Sequence, residues 1–587
     1  MTPPIVVAID FGTTRSAYAY TVEGEASGKI LVRVPDTAAA SPSSSTKTET
    51  AVLLSRGGTG DLMAFGPEAV DQFAHQDHDE DDPALFRWFK LDLCKSVHGQ
   101  TSVQSVMTNS SSGRHTVPLF HVMKASLSYF KDDILRFLSS TRGRNVDAME
   151  VTWVITVPAI YDDFAKRFMR QAAHGAGMID RVESVRLRLC LEPEAACLAV
   201  TTEDNPLTCE AEGKHMMIVD CGGGTVDITA HKILSVYPLR LAEVAAPDGG
   251  VWGSTRVDTA FEELLSELLG SWMDKVSDET QLSIMMTWER KKAEFTGQDS
   301  SQSLRLDLSQ LSNSGMTRED MEDLRTRYNS SRSTPHTVKG RNFMVTLPVA
   351  LVSSLFTPTI EKIAQCLRKI NGTSALRDLH RVFLVGGFSR SPLLKSMARE
   401  ELQRVTRCVV DVHEPDLAIV RGAVMYPTMS TVFNSRKARL TYGIRCHPEF
   451  DRTNFEHLKR HAAGKTQMCG DTFRVMDCFD SHVTVGDDIP SDGVMTVRSY
   501  TPSGMSHTTN TIQVFATAKT RPRYVDAPGV FMVGEVTFDL DMTTPTLQER
   551  GYRIEMIFGG TELTVRVLHR TDDVQIRDAV MSMSRAP

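Results

Sequence analysis

The stretch Met216-Met-Ile-Val-Asp220-Cys-Gly-Gly-Gly-Thr-Val-Asp227-Ile-Thr-Ala-His-Lys-Ile233 decides the fold. A short apolar run ending on an aspartate, three glycines and a returning apolar run that opens on a second aspartate predict strand, tight turn and strand. The same plan stands at the N-terminus, where Ile5-Val-Val-Ala-Ile-Asp10 enters the turn Phe11-Gly-Thr-Thr14 and the alternating run Arg15-Ser-Ala-Tyr-Ala-Tyr-Thr21. The two copies lie about 210 residues apart, which suggests two related lobes. A third apolar run, Arg381-Val-Phe-Leu-Val385, leads into Gly386-Gly-Phe-Ser-Arg-Ser391 and a helix from Pro392, a residue suited to the first helical position. Val151-Thr-Trp-Val-Ile-Thr-Val-Pro158 predicts a strand stopped by proline. Asp162 or Asp163 then caps a helix with Phe164, Phe168, Ala172 and Ala176 on one face. Strand followed by helix points to an α/β layer.

The turns have a chemical use. Glycine lets backbone N–H groups approach a ligand closely, so Gly12 and Gly222, Gly223 and Gly224 predict a cradle for phosphate oxygens. The hydroxyls of Thr13, Thr14 and Thr225 add donors, and Asp10, Asp220 and Asp227 are placed to hold hydrated Mg²⁺ through water, since that ion dehydrates reluctantly. The alternative for either turn alone is an ordinary hairpin; two such turns with a third Gly-Gly turn weigh against it.

Composition narrows the class. With 587 residues, 41% apolar and 24% charged, the chain is long enough for several globular units. A net charge of −8 supplies no basic field for a polyanion, so nucleic acid is not an expected partner. No apolar run approaches the roughly 20 residues of a membrane span. The ten cysteines form no C-x-x-C pair and read as reduced thiols, with Cys190 and Cys197 as core residues. The N-terminus passes into its first strand without a basic leader, which gives an expectation of no signal peptide and a cytoplasmic protein. Serine and threonine fill 41–50 and 108–116, and His75 to Asp82 is acidic and histidine-rich; all three are expected as surface loops. A metal site in the last is the weaker alternative to a solvated loop. After about Tyr426 short alternating runs take over, including 496–500, 511–518, 534–540 and a pair around Gly559-Gly560, which predicts a β-rich unit.

Asp10-Phe-Gly-Thr-Thr14, Asp220-Cys-Gly-Gly-Gly-Thr-Val-Asp227 and Leu384-Val-Gly-Gly-Phe-Ser-Arg390 resemble the two phosphate motifs and the adenosine motif of the actin, hexokinase and heat shock protein 70 superfamily. Val154-Ile-Thr-Val-Pro-Ala159 and Glu192-Pro-Glu-Ala-Ala196 are similar to heat shock protein 70 in particular, and Trp252-Gly-Ser-Thr255 resembles its divergent heat shock 70 kDa protein 12 branch. The resemblance implies a two-lobed actin-like ATPase of duplicated, ribonuclease H-like α/β lobes over 1–430. Lobe I would take about 1–200 and lobe II about 215–400 with a return to 430, followed by a linker at 431–439 and a β-rich, substrate-binding-like domain at 440–587. It implies ATP or ADP with Mg²⁺ as ligands and a protein client or regulatory partner. By the same resemblance Asp10, Asp220 and Asp227 place the metal and water, and Glu192 orients the attacking water. The family's phosphate-contacting lysine falls at Lys90, whose alternative is a surface position on an amphipathic helix. Gly386, Gly387, Arg390 and Asp416 match the adenosine side. Glu289 and Lys292 resemble the base- and ribose-holding helix, the alternative being a solvated charged face.

Departures accompany the match. Phe388 stands where the family has a small hydroxyl residue and Ala293 where it has an arginine that packs on adenine. Asn434-Ser-Arg-Lys-Ala438 is polar and basic where the family linker is acidic and leucine-rich, so the family's interdomain coupling does not simply carry over. A full helical lid is not expected in the stretch after Phe433. The expected function is a heat shock protein 70-like, slow Mg²⁺-dependent ATPase. The alternatives are a nucleotide-binding scaffold or sensor with little hydrolysis and, further off, a small-molecule kinase.

Overall fold

The computed structural model describes residues 5–22, 30–35, 46–75, 82–95, 103–204, 207, 209–297, 303–330, 332, 336–371, 379–402, 409–469, 472–490, 493–502, 507–540, 542, 546, 548–558, 563–569 and 575–580. The quoted strands belong to two sheets. One has the order Leu187–Leu191, Val151–Val157, Ile5–Asp10, Arg15–Val22, Leu31–Arg33, with Thr48–Glu49 also paired to Arg15–Val22. The other has seven strands, ordered Val409–Asp411, Leu379–Val385, His215–Cys221, Val226–Val236, Leu239–Gly250, Phe433–Lys437, Asp488–Pro490. In each sheet the aspartate-ending strand lies between a parallel neighbour and its own antiparallel hairpin partner. Such central strands are buried on both faces, which is why they read as unbroken Val, Ile and Met runs.

Helices cover the sheets as the sequence predicts. Asp163–Gly175 is capped by Asp162, whose carboxylate accepts from the Ala165 N–H at 2.9 Å, and it buries Phe164, Phe168 and Ala172. Between the sheets, Glu192–Ala199 crosses Ala418–Met429, and a shared core joins Ala8 and Val154 of one sheet to Ile218 and Phe383 of the other. The crossing depends on Gly422: a Cβ there would stand 1.6 Å from the Ala195 carbonyl oxygen.

Several expectations about the connecting segments are corrected. In the described part of the 41–50 tract, Thr48–Glu49 is a strand and Thr48 and Thr50 are buried. The 108–116 tract closes a hairpin between Met107–Asn109 and Thr116–Pro118, with buried Thr108 donating to Asp92 at 2.7 Å. Hydroxyl-rich composition does not distinguish side chains that hydrogen-bond inward from those facing water. The stretch read as a polar connector contains the strand Phe433–Lys437, parallel to Leu239–Gly250 and antiparallel to Asp488–Pro490. It takes that place because Phe433 is buried and the Arg436 guanidinium meets the buried Glu194 carboxylate at 2.6 Å. Residues 41–45, 76–81 and the Gly559-Gly560 turn lie outside the described residues.

Beyond it stand two four-stranded antiparallel sheets, one of Cys478–Val483, Thr441–Cys446, Thr509–Thr517 and Val530–Asp539, the other of Val494–Tyr500, Tyr552–Ile557, Thr564–His569 and Gln575–Val580. Val514, Ile554 and Val567 share their core. Among the described residues all cysteines are free, Cys190 and Cys197 are buried, and no helix is long and apolar enough to cross a membrane.

Candidate functional site

A cavity of about 410 Å³ opens between the two large sheets. The two hairpin turns meet across it: a Cβ on Gly223 would strike Thr14 Oγ1 at 2.3 Å, and one on Gly224 would strike Thr13 Oγ1 at 2.3 Å. Only glycine permits that approach, so the turns form the opposed walls of one cradle. Asp10, Gly12, Thr13, Thr14, Lys90, Glu192, Asp220, Gly222, Gly223, Gly224, Thr225, Glu289, Lys292, Gly386, Gly387, Arg390 and Asp416 all line the cavity. Asp227 is buried outside that lining and accepts the Ile160 N–H at 3.0 Å.

The structure corrects the expected source of N–H donors. The Gly12 N–H donates to Ser16 Oγ at 3.1 Å and the Gly222 N–H to the Thr225 carbonyl at 2.9 Å, because each glycine also closes its own hairpin. Among the described residues no acceptor meets the N–H groups of Gly223 and Gly224, which are left to a ligand.

Lys90 is not a surface lysine. It is 2% exposed and its ammonium donates to the Phe11 carbonyl at 2.6 Å and to Glu192 Oε1 at 2.8 Å. Glu192 opens its helix, where a carboxylate is favoured by the positive end of the helix dipole. Burial pushes the Glu192 carboxyl above the usual range, and Lys90 opposes that shift. Burial also raises Asp220 well above its ordinary value, with repulsion from Glu192, Asp227 and Asp10 added. Asp227, directly opposite Asp220 in the sheet register, is pushed up to about 7 by burial and Glu192. Like charges paired across strands repel, so these carboxylates call for a cation.

Asp220 Oδ1 and Asp227 Oδ2 are buried without a hydrogen-bond partner among the described residues. No group of three or more acidic, histidine or cysteine side chains there is close enough to grip a bare ion. Carboxylates with spare oxygens that do not close into a cage fit hydrated Mg²⁺, which keeps several waters and takes its remaining contacts from phosphate.

On the other side of the cleft, the side chains predicted to contact adenosine already have protein partners. Lys292 pairs with buried Asp258 at 2.6 Å, Glu289 with Arg87 at 2.7 Å, and Arg390 with Asp416 at 3.0 Å. Phe388 and Ala293 line the same wall. Sequence reasoning missed two of the groups here. Asp258 interrupts the apolar face of the helix Thr255–Leu269, and a lone carboxylate among Val257, Phe261 and Leu265 was a usable signal. Lys47, paired with Asp10, sits in a tract whose composition says only loop, and nothing local marked it.

The chain matches the family model described as "Hsp70 protein" over residues 129–434. It is 27% identical to heat shock 70 kDa protein 12A of Homo sapiens, over 95% of this chain and 88% of that protein. To human heat shock 70 kDa protein 12B it is 25% identical over 99% of this chain and 91% of that one. Chaperone protein DnaK of Methanothermobacter thermautotrophicus is 27% identical over 44% of this chain and 38% of its own length.

Proposed function

This chain belongs to the Hsp70 family, and from that premise we propose that it is an ATP- and ADP-binding protein whose cleft hydrolyses ATP slowly with Mg²⁺ and thereby regulates a protein client or partner. On this reading 1–430 is a two-lobed actin-like ATPase and 440–587 a β-rich partner-binding domain in a cytoplasmic protein. The observation that carries it is the face-to-face approach of the Thr13-Thr14 and Gly223-Gly224 turns beside the Lys90–Glu192 pair.

Bound Mg²⁺ would neutralise phosphate charge and polarise the phosphoryl group. The chain's own residues do the rest. Gly223 and Gly224 N–H groups and the threonine hydroxyls hold phosphate oxygens, Asp10, Asp220 and Asp227 would hold the hydrated ion, and Lys90 keeps Glu192 placed to accept a hydrogen bond from the attacking water. Catalysis by such a set is positioning and charge stabilisation. The Glu289–Lys292 wall and Gly386, Gly387, Arg390 and Asp416 take the nucleoside.

A second reading, a nucleotide-binding sensor with little turnover, is favoured by Lys47 on Asp10, an internal cation where metal-bound water would sit. Calorimetry with Mg²⁺-ATP and single-turnover hydrolysis on one sample separate the two, with Asp227→Asn as control. Cleavage lost in Asp227→Asn at unchanged melting temperature supports the ATPase. Binding without cleavage, insensitive to EDTA, supports the sensor, and no binding rejects both.

A further inference from the structure

A second cavity, of about 320 Å³, shares no lining residue with the cleft. The two are built from alternate faces of the same elements. The helix Thr255–Leu269 turns Asp258 to the cleft and Thr255, Thr259 and Glu262 to the second cavity, and Lys90 and Leu91 divide in the same way. Its walls come from both sides of the molecule: Leu85, Trp88 and the hydroxyl-bearing 110–112 segment on one, and Thr255, Glu262 and Met285 on the other.

One acid in it is unsatisfied. Among the described residues the half-buried Glu262 carboxylate has neither a hydrogen bond nor an ion pair. Burial and neighbouring Asp258 push its carboxyl up to about 7, with the Arg87 charge opposing the shift only in part. Among the described residues no cation pairs with it directly. Arg87 is held by Glu49 at 2.8 Å and Glu289 at 2.7 Å, and exposed Arg256 donates to the Val251 carbonyl at 3.0 Å. The other acids are engaged: Asp278 with Arg114 at 3.1 Å, and Asp92 by the Thr108 hydroxyl at 2.7 Å.

We propose that this cavity is a second ligand site that takes a small organic cation, its ammonium or amidinium group against the Glu262 carboxylate and its apolar body against Leu85, Trp88 and Met285. An unpaired, partly desolvated carboxylate gains most from a cation brought with its own apolar surface, and an indole wall adds attraction for the same charge. The volume suits a ligand of one ring or a short chain. The site does not depend on what the cleft binds.

Benzamidine, with neutral benzamide as its isostere, tests this on the full chain by calorimetry. Benzamidine binds at least about tenfold more tightly than benzamide, a difference of about 1.4 kcal/mol. Glu262→Gln removes that preference, and saturating Mg²⁺-ADP does not displace benzamidine. Equal affinity for the two compounds, no binding of benzamidine at millimolar concentration, or competition with Mg²⁺-ADP overturns the proposal. Should Glu262→Gln fail to fold, Glu262→Asp, which draws the carboxylate back by one methylene, is expected to weaken benzamidine several-fold, and undiminished binding there overturns the proposal.

Discussion

Lys90 and Glu192 form a pair whose members cannot be removed singly without consequence. Lys90→Met leaves Glu192 buried without its cation, a change expected to cost about 3–5 kcal/mol in chemical denaturation. The double variant Lys90→Met/Glu192→Gln recovers most of it, because it removes the charge as well as the partner. Glu192→Ala is expected to leave Mg²⁺-ADP affinity within a few-fold while single-turnover hydrolysis falls by about 10² or more, the usual size of a lost proton-handling group. Loss of nucleotide binding instead assigns Glu192 a structural role. At this scale legibility follows chain locality. The aspartates and glycines of the turns were readable because each turn is one continuous segment, whereas Lys47 reaches Asp10 from a tract with no pattern of its own. The sequence could place Gly12 and Gly222 in the turns but not say that their N–H groups close the hairpins.

The strand Phe433–Lys437 ties a remote segment to the cleft. Arg436 holds Glu194, two residues along the helix that begins with Glu192, and the Lys437 N–H donates to Glu243 at 2.7 Å. Polar composition hid this strand, since a basic side chain at a sheet position looks solvated until its acid is known. Arg436→Met alone leaves buried Glu194 unpaired and is expected to cost about 3–5 kcal/mol and to speed proteolysis within 433–437, while adding Glu194→Met restores resistance. Glu243 gives the element a pH signature. Burial raises its carboxyl to about 7. Below the unfolded value both states carry the proton; as pH rises toward 7 the unfolded chain releases it first, so stability falls over that window. Glu243→Gln keeps an acceptor for Lys437 and removes the slope. It is expected to match the parent near pH 4.5 and to exceed it by about 1–3 kcal/mol at pH 8, read from urea midpoints.

Across the whole molecule the two large sheets are joined in unlike ways at the base and at the rim. The base is apolar and close-packed, with the Glu192–Ala199 and Ala418–Met429 helices in contact at Gly422. The rim is closed by polar contacts of long sequence separation: Thr46 Oγ1 to Asp416 at 2.7 Å and Arg114 to Asp278 at 3.1 Å. No sequence pattern announced those pairs, because the fold alone brings them together. An interface packed at one end and tied by partly exposed polar pairs at the other opens at the tied end. Thr46→Val with Arg114→Ala is therefore expected to leave the melting temperature within a degree or two and to speed release of fluorescent ADP in stopped flow by about two- to tenfold. The loss of one or two partly exposed contacts at a few tenths to 1 kcal/mol each gives that range. Gly422→Ala acts at the other end. The added methyl cannot coexist with a backbone oxygen 1.6 Å away, so the helices must part and the shared core loses its packing. It is expected to lower the melting temperature steeply whether or not nucleotide is present. If instead the rim variants unfold the protein and Gly422→Ala only speeds release, the hinge and the gate have been assigned to the wrong ends.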